Sequence, residues 1–241
     1  LEQVIELDPG HAAGYRERGR IYADRKRFQE AITNYNRALE FKPTSAYTYV
    51  LRASVYRRLD QYDQAIADFS EAIALKPDYY LAYRERGRVY IALKAYREGV
   101  ADYTRAIVLR PDLAFPVVLR GIAYRQLAEL SAALADFNQA LEIRPDYYQA
   151  LLERGRTFLL QEDYGQALND YGQAVGLKDD RPEAYPGRGD AYRRMGRLRA
   201  ARIDYRRALE LAKNLLLRTE IEDRLEQLDQ KQSKSNDSQG R

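Results

Sequence analysis

Residues 80–113 read YLAYRERGRVYIALKAYREGVADYTRAIVLRPDL, and the pattern of this stretch returns along most of the chain. Its proline belongs to an unbroken, evenly spaced series that runs Pro9, Pro43, Pro77, Pro111 and Pro145, with a period equal to the length of the stretch. A unit of this size cannot bury an apolar face by itself, so successive copies must stack and share a continuous core. The period therefore predicts one linear array of repeats in place of separate globular domains.

Each repeat is predicted to contain two helices. With residue 12 counted as position 1, positions 4, 8 and 11 hold Tyr15, Gly19 and Tyr22, whose i, i+4, i+7 spacing places them on one helix face. Positions 20, 24 and 27 repeat this spacing with a small, an aromatic and a small residue, as in Ala31, Tyr35 and Ala38. The small residues let the paired helices approach closely. The proline at position 32 ends the second helix because it lacks an N–H group.

Six full repeats follow one another without gaps. They cover residues 12–45, 46–79, 80–113, 114–147, 148–181 and 182–215. Residues 1–11 match the end of a truncated preceding repeat, whose exposed apolar residues favour end-to-end self-association. Residues 216–230 keep an apolar stripe and are predicted to form a C-terminal capping helix. Residues 231–241 contain no apolar side chain and are predicted to be disordered.

This pattern resembles the tetratricopeptide repeat, a family with a large residue at position 4, small residues at 8, 20 and 27, aromatic residues at 11 and 24, and proline at 32. The resemblance extends over residues 12–215. It implies an all-α, right-handed solenoid of helix-turn-helix repeats whose first helices line a concave groove. The chain departs from the family pattern at Asp179 and Lys213, which replace proline, and at position 7, where arginine replaces the usual leucine.

Opposite charges recur at two fixed positions of the repeat. Position 7 holds Arg18, Arg52, Arg86, Arg120, Arg154 and Arg188. Position 23 holds Asn34, Asp68, Asp102, Asp136, Asp170 and Asp204. Because the two residue types recur together, they indicate a ladder of ion pairs between packed helices and not a ligand site.

A second set of arginines stands at the positions that the family resemblance assigns to the groove. These arginines alternate with apolar residues over two repeats, and Arg57, Arg125 and Arg193 recur at twice the length of one repeat. The predicted groove residues are Arg16, Arg20, Tyr47, Val50, Leu51, Arg57, Arg84, Arg88, Val118, Leu119, Arg125, Arg156 and Arg193. They favour an acidic partner segment that also carries apolar side chains. The alternative for any single arginine is that it lies on a solvent-exposed face, where Glu17, Glu85 or Glu153 beside it neutralises its charge.

The composition gives little support to catalysis. There is no cysteine, and His11 is the only histidine and stands in a predicted turn. No catalytic, cofactor-binding or metal-binding residue is predicted, and the chain is not expected to be an enzyme. The positions at which chaperone-binding relatives hold a peptide C-terminus carry Arg16, Arg20, Leu51, Leu81 and Glu85, which argues against a chaperone-tail clamp.

Charge and hydropathy restrict the remaining function classes. The net charge is only +4, from 40 basic and 36 acidic residues, which gives no support to nucleic-acid binding. The sequence contains no run of about 18 apolar residues, the length that a membrane-spanning helix requires. The absence of cysteine fits a reducing cytoplasm. The sequence predicts a scaffold that binds a peptide or helical segment of a partner protein. The alternatives are a basic superhelix that binds nucleic acid, and a non-catalytic recruiting module of a larger enzyme.

Overall fold

A computed structural model describes residues 2–239, with side chains for residues 2–230. The described part of the chain is helical throughout and contains no strand. Its helices are α1 Glu2–Leu7, α2 Ala12–Asp24, α3 Phe28–Phe41, α4 Ala46–Arg58, α5 Tyr62–Leu75, α6 Tyr80–Ala92, α7 Tyr96–Leu109, α8 Ala114–Gln126, α9 Leu130–Ile143, α10 Tyr148–Leu160, α11 Tyr164–Leu177, α12 Ala184–Arg194, α13 Leu198–Leu211 and α14 Leu215–Gln239. The predicted disordered tail, residues 231–241, lies outside the residues described in full.

The chain divides into two compact units, Leu1–Ala123 and Tyr124–Arg241. In the first unit α2 packs on α3, α4 on α5 and α6 on α7, and successive pairs stack through α3 on α4 and α5 on α6. The core between them holds the residues of positions 8, 20, 24 and 27, with Ala53, Ala65, Phe69 and Ala72 all fully buried. The predicted all-α repeat solenoid is therefore confirmed.

The second unit repeats this packing. Its pairs are α10 with α11 and α12 with α13, and α14 packs on α13. Ile221 and Leu228 of α14 are fully buried against Tyr205 and Ala208 of the last repeat. The amphipathic α14 therefore supplies the apolar cover that the final helix pair needs.

The arginine ladder of position 7 ties the helices of a pair together. Four arginines donate through Nε and Nη2 to both carboxylate oxygens of the position-23 aspartate at 2.7–2.8 Å; the pairs are Arg52 with Asp68, Arg86 with Asp102, Arg154 with Asp170, and Arg188 with Asp204. In the first repeat Arg18 donates to the amide oxygen of Asn34 at 2.7 Å. The ladder is therefore confirmed for these repeats.

The same arginines also link successive repeats. The Nη1 atom of Arg86 donates to the Ser70 hydroxyl of the preceding repeat at 2.9 Å, and Arg52 reaches Asn36 in the same way at 2.6 Å. The Arg86 guanidinium lies 5.9 Å from the ring centroids of both Tyr83 and Tyr90. The donors and flat faces of Arg86 are therefore engaged by the scaffold itself, which supports a structural role for position 7.

A left-handed residue closes the turn between the two helices of every repeat. At position 15 the φ angles are 59° at Lys26, 56° at Asp60, 59° at Lys94, 59° at Ala128, 61° at Glu162 and 75° at Gly196. Only the last is glycine, the residue that adopts this conformation without a steric penalty. The sequence pattern carries no signal for this turn, because five different residue types occupy the position.

We expect the Lys94→Gly substitution to raise the free energy of unfolding by about 0.5–1 kcal/mol, because it relieves left-handed strain at some cost in chain entropy. The reverse change, Gly196→Ala, should lower it by a similar amount, since a Cβ at φ 75° is strained although it would meet no atom within 4 Å. Urea unfolding curves of both variants measure the effect. Stability changes of the same sign in the two variants would contradict this account.

Candidate functional site

Arginines of the first helices gather on one face of the first unit, here called the cationic face: Arg16 and Arg20 of α2, Arg57 of α4, and Arg84 and Arg88 of α6. Aromatic rings lie between them. The guanidinium of Arg16 lies 5.4 Å from the ring centroid of Tyr47, and that of Arg84 lies 5.6 Å and 5.7 Å from the rings of Tyr80 and Phe115. Arginine faces and aromatic faces attract each other, so these contacts align the basic groups. The predicted arginines of these repeats form two groups, Arg16 and Arg20 around Glu17, and Arg57, Arg84 and Arg88 around Glu85.

A single buried carboxylate organises the centre of this face. Glu85 is 7% exposed and accepts hydrogen bonds from Arg84 at 2.9 and 2.7 Å. Arg57 approaches the other carboxylate oxygen to 3.4 Å from the preceding repeat, and Arg88 does so at the same distance from the next turn of α6. Three guanidinium groups therefore surround one carboxylate, which leaves a local excess of two positive charges.

The three arginines stay protonated at any physiological pH, so the excess of positive charge persists. The carboxylate of Glu85 and its hydrogen bonds raise the pKa of Arg84 against the opposing effect of burial. Burial lowers the pKa of Arg57, and Glu85 opposes that shift. Arginine stays charged in proteins in either case. The Nε atom of Arg57 is buried and has no hydrogen-bond acceptor in the described protein.

The first repeat carries a smaller version of the same arrangement. Glu17 pairs with Arg16 and Arg20, each at 3.2 Å. The Arg20 side chain is 53% exposed, and its hydrogen bond to Tyr47 raises its pKa. This part of the cationic face holds one positive charge in excess.

The second unit repeats the buried carboxylate two repeats further along the chain. Glu153 is 3% exposed and accepts hydrogen bonds at 2.7 Å from Arg125, Arg156 and Gln149. Leu152 stands where Arg84 stands in the third repeat, so the excess here is one positive charge. The remaining predicted arginine, Arg193, lies 3.4 Å from Asp190, which also contacts Arg224 of α14 at 3.5 Å.

Two of the predicted apolar contacts belong to the core. Val50 and Val118 are 5% and 1% exposed, while Leu51 and Leu119 are half-buried. The apolar surface beside the arginines comes instead from the rings of Tyr47 and Phe115, which are 39% and 40% exposed. Sequence reasoning missed Phe115, although its signal was present: it occupies position 2 of the fourth repeat, as Tyr47 does in the second.

The described residues offer no support for a metal centre or a membrane span. They contain no cluster of His, Asp and Glu side chains arranged to hold a metal ion. Among the helices of residues 2–239, none is both long enough and apolar enough to cross a bilayer.

Solved structures share this fold. PilW, a type IV pilus biogenesis factor, has a TM-score of 0.75 at 19% identity, covering 86% of this chain and 97% of PilW. YrrB, described as a tetratricopeptide protein with an unusual peptide-binding site, has a TM-score of 0.62 at 17% identity, covering 78% of this chain and 97% of YrrB. A tetratricopeptide repeat protein from Parabacteroides merdae has a TM-score of 0.68 at 19% identity, covering 95% of this chain and 89% of the Parabacteroides merdae chain. Identities this low show the fold alone.

Sequence comparison identifies the family. No curated protein matches the chain. A model described as TPR repeat matches residues 19–60, and one described as tetratricopeptide repeat matches residues 46–79. A further tetratricopeptide repeat model matches residues 118–182 and 154–215. These matches together cover well over half of the chain, which belongs to the tetratricopeptide repeat family.

Proposed function

We propose that this protein is an interaction scaffold whose cationic face binds an acidic segment of a partner protein. Tetratricopeptide repeat proteins are typically non-catalytic scaffolds for protein or peptide partners. The observation that carries the proposal is the Glu85 cluster, where three guanidinium groups surround one carboxylate. The surplus charge is held in place before any ligand arrives, so little ordering entropy is lost on binding.

The exposure of the individual arginines indicates which of them reach a ligand. Arg88 and Arg20 have side chains that are 43% and 53% exposed. Their exposed N–H groups can donate to a second carboxylate. Arg57 and Arg84 are 24% and 26% exposed and mainly hold Glu85 in position. The first pair would therefore contact the partner, and the second pair would orient the site.

The exposed rings of Tyr47 and Phe115 set the second requirement on the partner. Each ring lies beside an arginine, so a carboxylate bound to that arginine brings a neighbouring apolar side chain onto the ring. An extended or helical segment that alternates acidic and apolar residues satisfies both contacts. YrrB, of similar fold, is described as having a peptide-binding site.

The test is the double variant Arg20→Gln/Arg88→Gln. We expect it to bind a fluorescein-labelled, amide-capped peptide of alternating Glu and Leu about 10-fold more weakly than the parent chain, because each substitution removes a charge-assisted hydrogen bond that solvent partly screens. Fluorescence anisotropy measures the affinity. Both arginines are exposed, so the melting temperature should hardly change.

The matched control is Arg37→Gln/Arg110→Gln, which removes two equally exposed arginines, with side chains 53% and 51% exposed, outside the cationic face. It should leave peptide affinity within about twofold of the parent chain. Equal weakening by both double variants would mean that only net charge matters and would refute the site. A labelled single-stranded RNA of the same charge separates the nucleic-acid alternative, which requires the RNA to bind at least as tightly as the peptide.

A further inference from the structure

The second unit contains a cavity of about 430 Å³ at the beginning of α10. Its lining includes Tyr148, Leu152, Leu177, Lys178, Arg181 and Glu183. This volume falls in the range of about 300–1,000 Å³ that is typical of small-ligand sites. The cavity belongs to the fifth and sixth repeats and shares no residue with the cationic face of the first unit.

The cavity lies where the sixth repeat begins differently from the others. The helices α4, α6, α8 and α10 begin at position 1 of their repeats, whereas α12 begins at Ala184, which is position 3. Position 2 of this repeat is Glu183, in the turn before α12, whereas the second and fourth repeats place an aromatic ring there. The proline at position 1, Pro182, is also peculiar to this repeat.

Two junctions between repeats of the first unit, the first with the second and the third with the fourth, contain side chains that this junction lacks. Arg16 lies over Tyr47, and Arg84 lies over Phe115 and also over Tyr80. In the fifth and sixth repeats, Leu152 replaces the arginine and Glu183 replaces the ring. Tyr148, the counterpart of Tyr80, keeps its place as one wall. The cavity therefore lies at the place where these two junctions of the first unit hold an arginine stacked on an aromatic ring.

The apolar part of the lining suits a flat ring. Tyr148 and Leu152 are 8% and 2% exposed, so the core fixes their positions, and Leu177, which is 45% exposed, supplies the open apolar wall. The Tyr148 hydroxyl donates to Glu183 at 3.3 Å. Burial and this carboxylate raise the pKa of Tyr148, so the phenol stays neutral. This neutral, fixed phenol therefore adds no charge to the cavity.

The lining residues of the cavity include one more basic side chain than acidic side chains. Lys178 places its Nζ atom 4.9 Å from the centroid of the Tyr148 ring, and Arg181 adds a second cation. The third basic group, Arg144, is bound to Asp146 at 3.2 Å. After Glu183 is counted against Lys178 and Arg181, one positive charge remains without a carboxylate among the lining residues.

We propose that this cavity binds a ligand that combines an aromatic ring with one carboxylate, either a free aromatic acid or an aromatic residue beside an acidic one in a peptide. The ring takes the place that an arginine and an aromatic ring fill between the first and second and between the third and fourth repeats, and it packs against the exposed side chain of Leu177. The carboxylate accepts hydrogen bonds from Lys178 and Arg181. Cation–π attraction from Lys178 adds to the ring contact.

The probes are N-acetylphenylalanine, its amide, N-acetylglycine, and the capped peptide acetyl-Gly-Asp-Phe-Gly-amide. Saturation-transfer NMR and titration calorimetry on the full chain give the affinities. We expect N-acetylphenylalanine or the peptide to bind, and removal of the carboxylate or of the ring to weaken binding at least 10-fold. If N-acetylphenylalanine binds, the ligand is a free aromatic acid. If the peptide binds and N-acetylphenylalanine does not, the ligand is a segment of a partner protein. Failure of both to bind would overturn the proposal.

Two variants locate the binding. Glu183→Phe restores the ring of the second and fourth repeats and should abolish binding by filling the cavity. Lys178→Gln/Arg181→Gln changes only basic side chains of the lining and should weaken binding at least 10-fold, which keeps the test decisive if Glu183→Phe does not fold. The control Arg207→Gln, an exposed arginine outside the cavity, should bind as the parent chain does. Undiminished binding in Lys178→Gln/Arg181→Gln would refute the site.

Discussion

Replacing Arg154 with alanine is expected to lower the free energy of unfolding by about 3–5 kcal/mol. The guanidinium donates to both carboxylate oxygens of Asp170, at 2.8 and 2.7 Å, and the Asp170 side chain is 0% exposed. The variant leaves that carboxylate buried without its cation, which is the costly way to break a buried pair. It also removes the 2.8 Å hydrogen bond to Asn138 of the preceding repeat. Urea unfolding followed by circular dichroism measures the loss.

The matched control for this prediction is Arg110→Ala. Arg110 forms an equally short pair with Asp112 at 2.8 Å, but the two side chains are 51% and 60% exposed. Exposed pairs contribute at most about 1 kcal/mol because water screens them. Similar losses in Arg154→Ala and Arg110→Ala would show that burial of the ladder has no energetic consequence.

Acid should reduce the cost of Arg154→Ala. Burial raises the pKa of Asp170, and Arg154 opposes that rise. Without Arg154 the folded-state pKa moves further above that of the unfolded chain, so the folded variant takes up a proton more readily as the pH falls. The stability difference between parent and variant should therefore be smaller at about pH 5 than at pH 7. A difference that is constant with pH would mean that Asp170 stays ionised in the variant.

Gly189→Leu is expected to cost about 3 kcal/mol, the upper end of the range for overpacking a core. A Cβ atom on Gly189 would lie 2.5 Å from Cε1 and 2.8 Å from Cδ1 of Tyr205. That ring is fully buried and packs in the core that includes Ile221 of α14, so it cannot move aside cheaply. Thermal unfolding followed by circular dichroism should show a clear drop in melting temperature.

Gly172→Ala is the control for the glycine prediction. Gly172 also lies inside a helix, α11, but a Cβ there would meet nothing within 4 Å. Alanine is favoured over glycine in a helix interior, so this variant should be more stable than the parent by about 0.5–1 kcal/mol. If Gly189→Leu were also as stable as the parent, close helix approach at position 8 would not explain the glycine.

The sequence by itself determined the repeat, its two helices and the pairing of position 7 with position 23. These features depend on contacts within one helix hairpin, such as Arg86 with Asp102, which are 16 residues apart. Each repeat is longer than this separation, so every copy of the repeat contains both partners of the contact. The contacts are therefore visible as recurring pairs of residue types.

Only the tertiary structure decided the contacts between repeats. Arg57 and Arg125 reach Glu85 and Glu153 across a repeat junction, and the burial of Val50 and Val118 depends on how closely neighbouring pairs stack. The periodicity places a residue on a helix face, but it does not say how deeply that face is covered. The late start of α12, at the junction where the cavity beside Tyr148 lies, follows from a local turn that the repeat pattern does not encode.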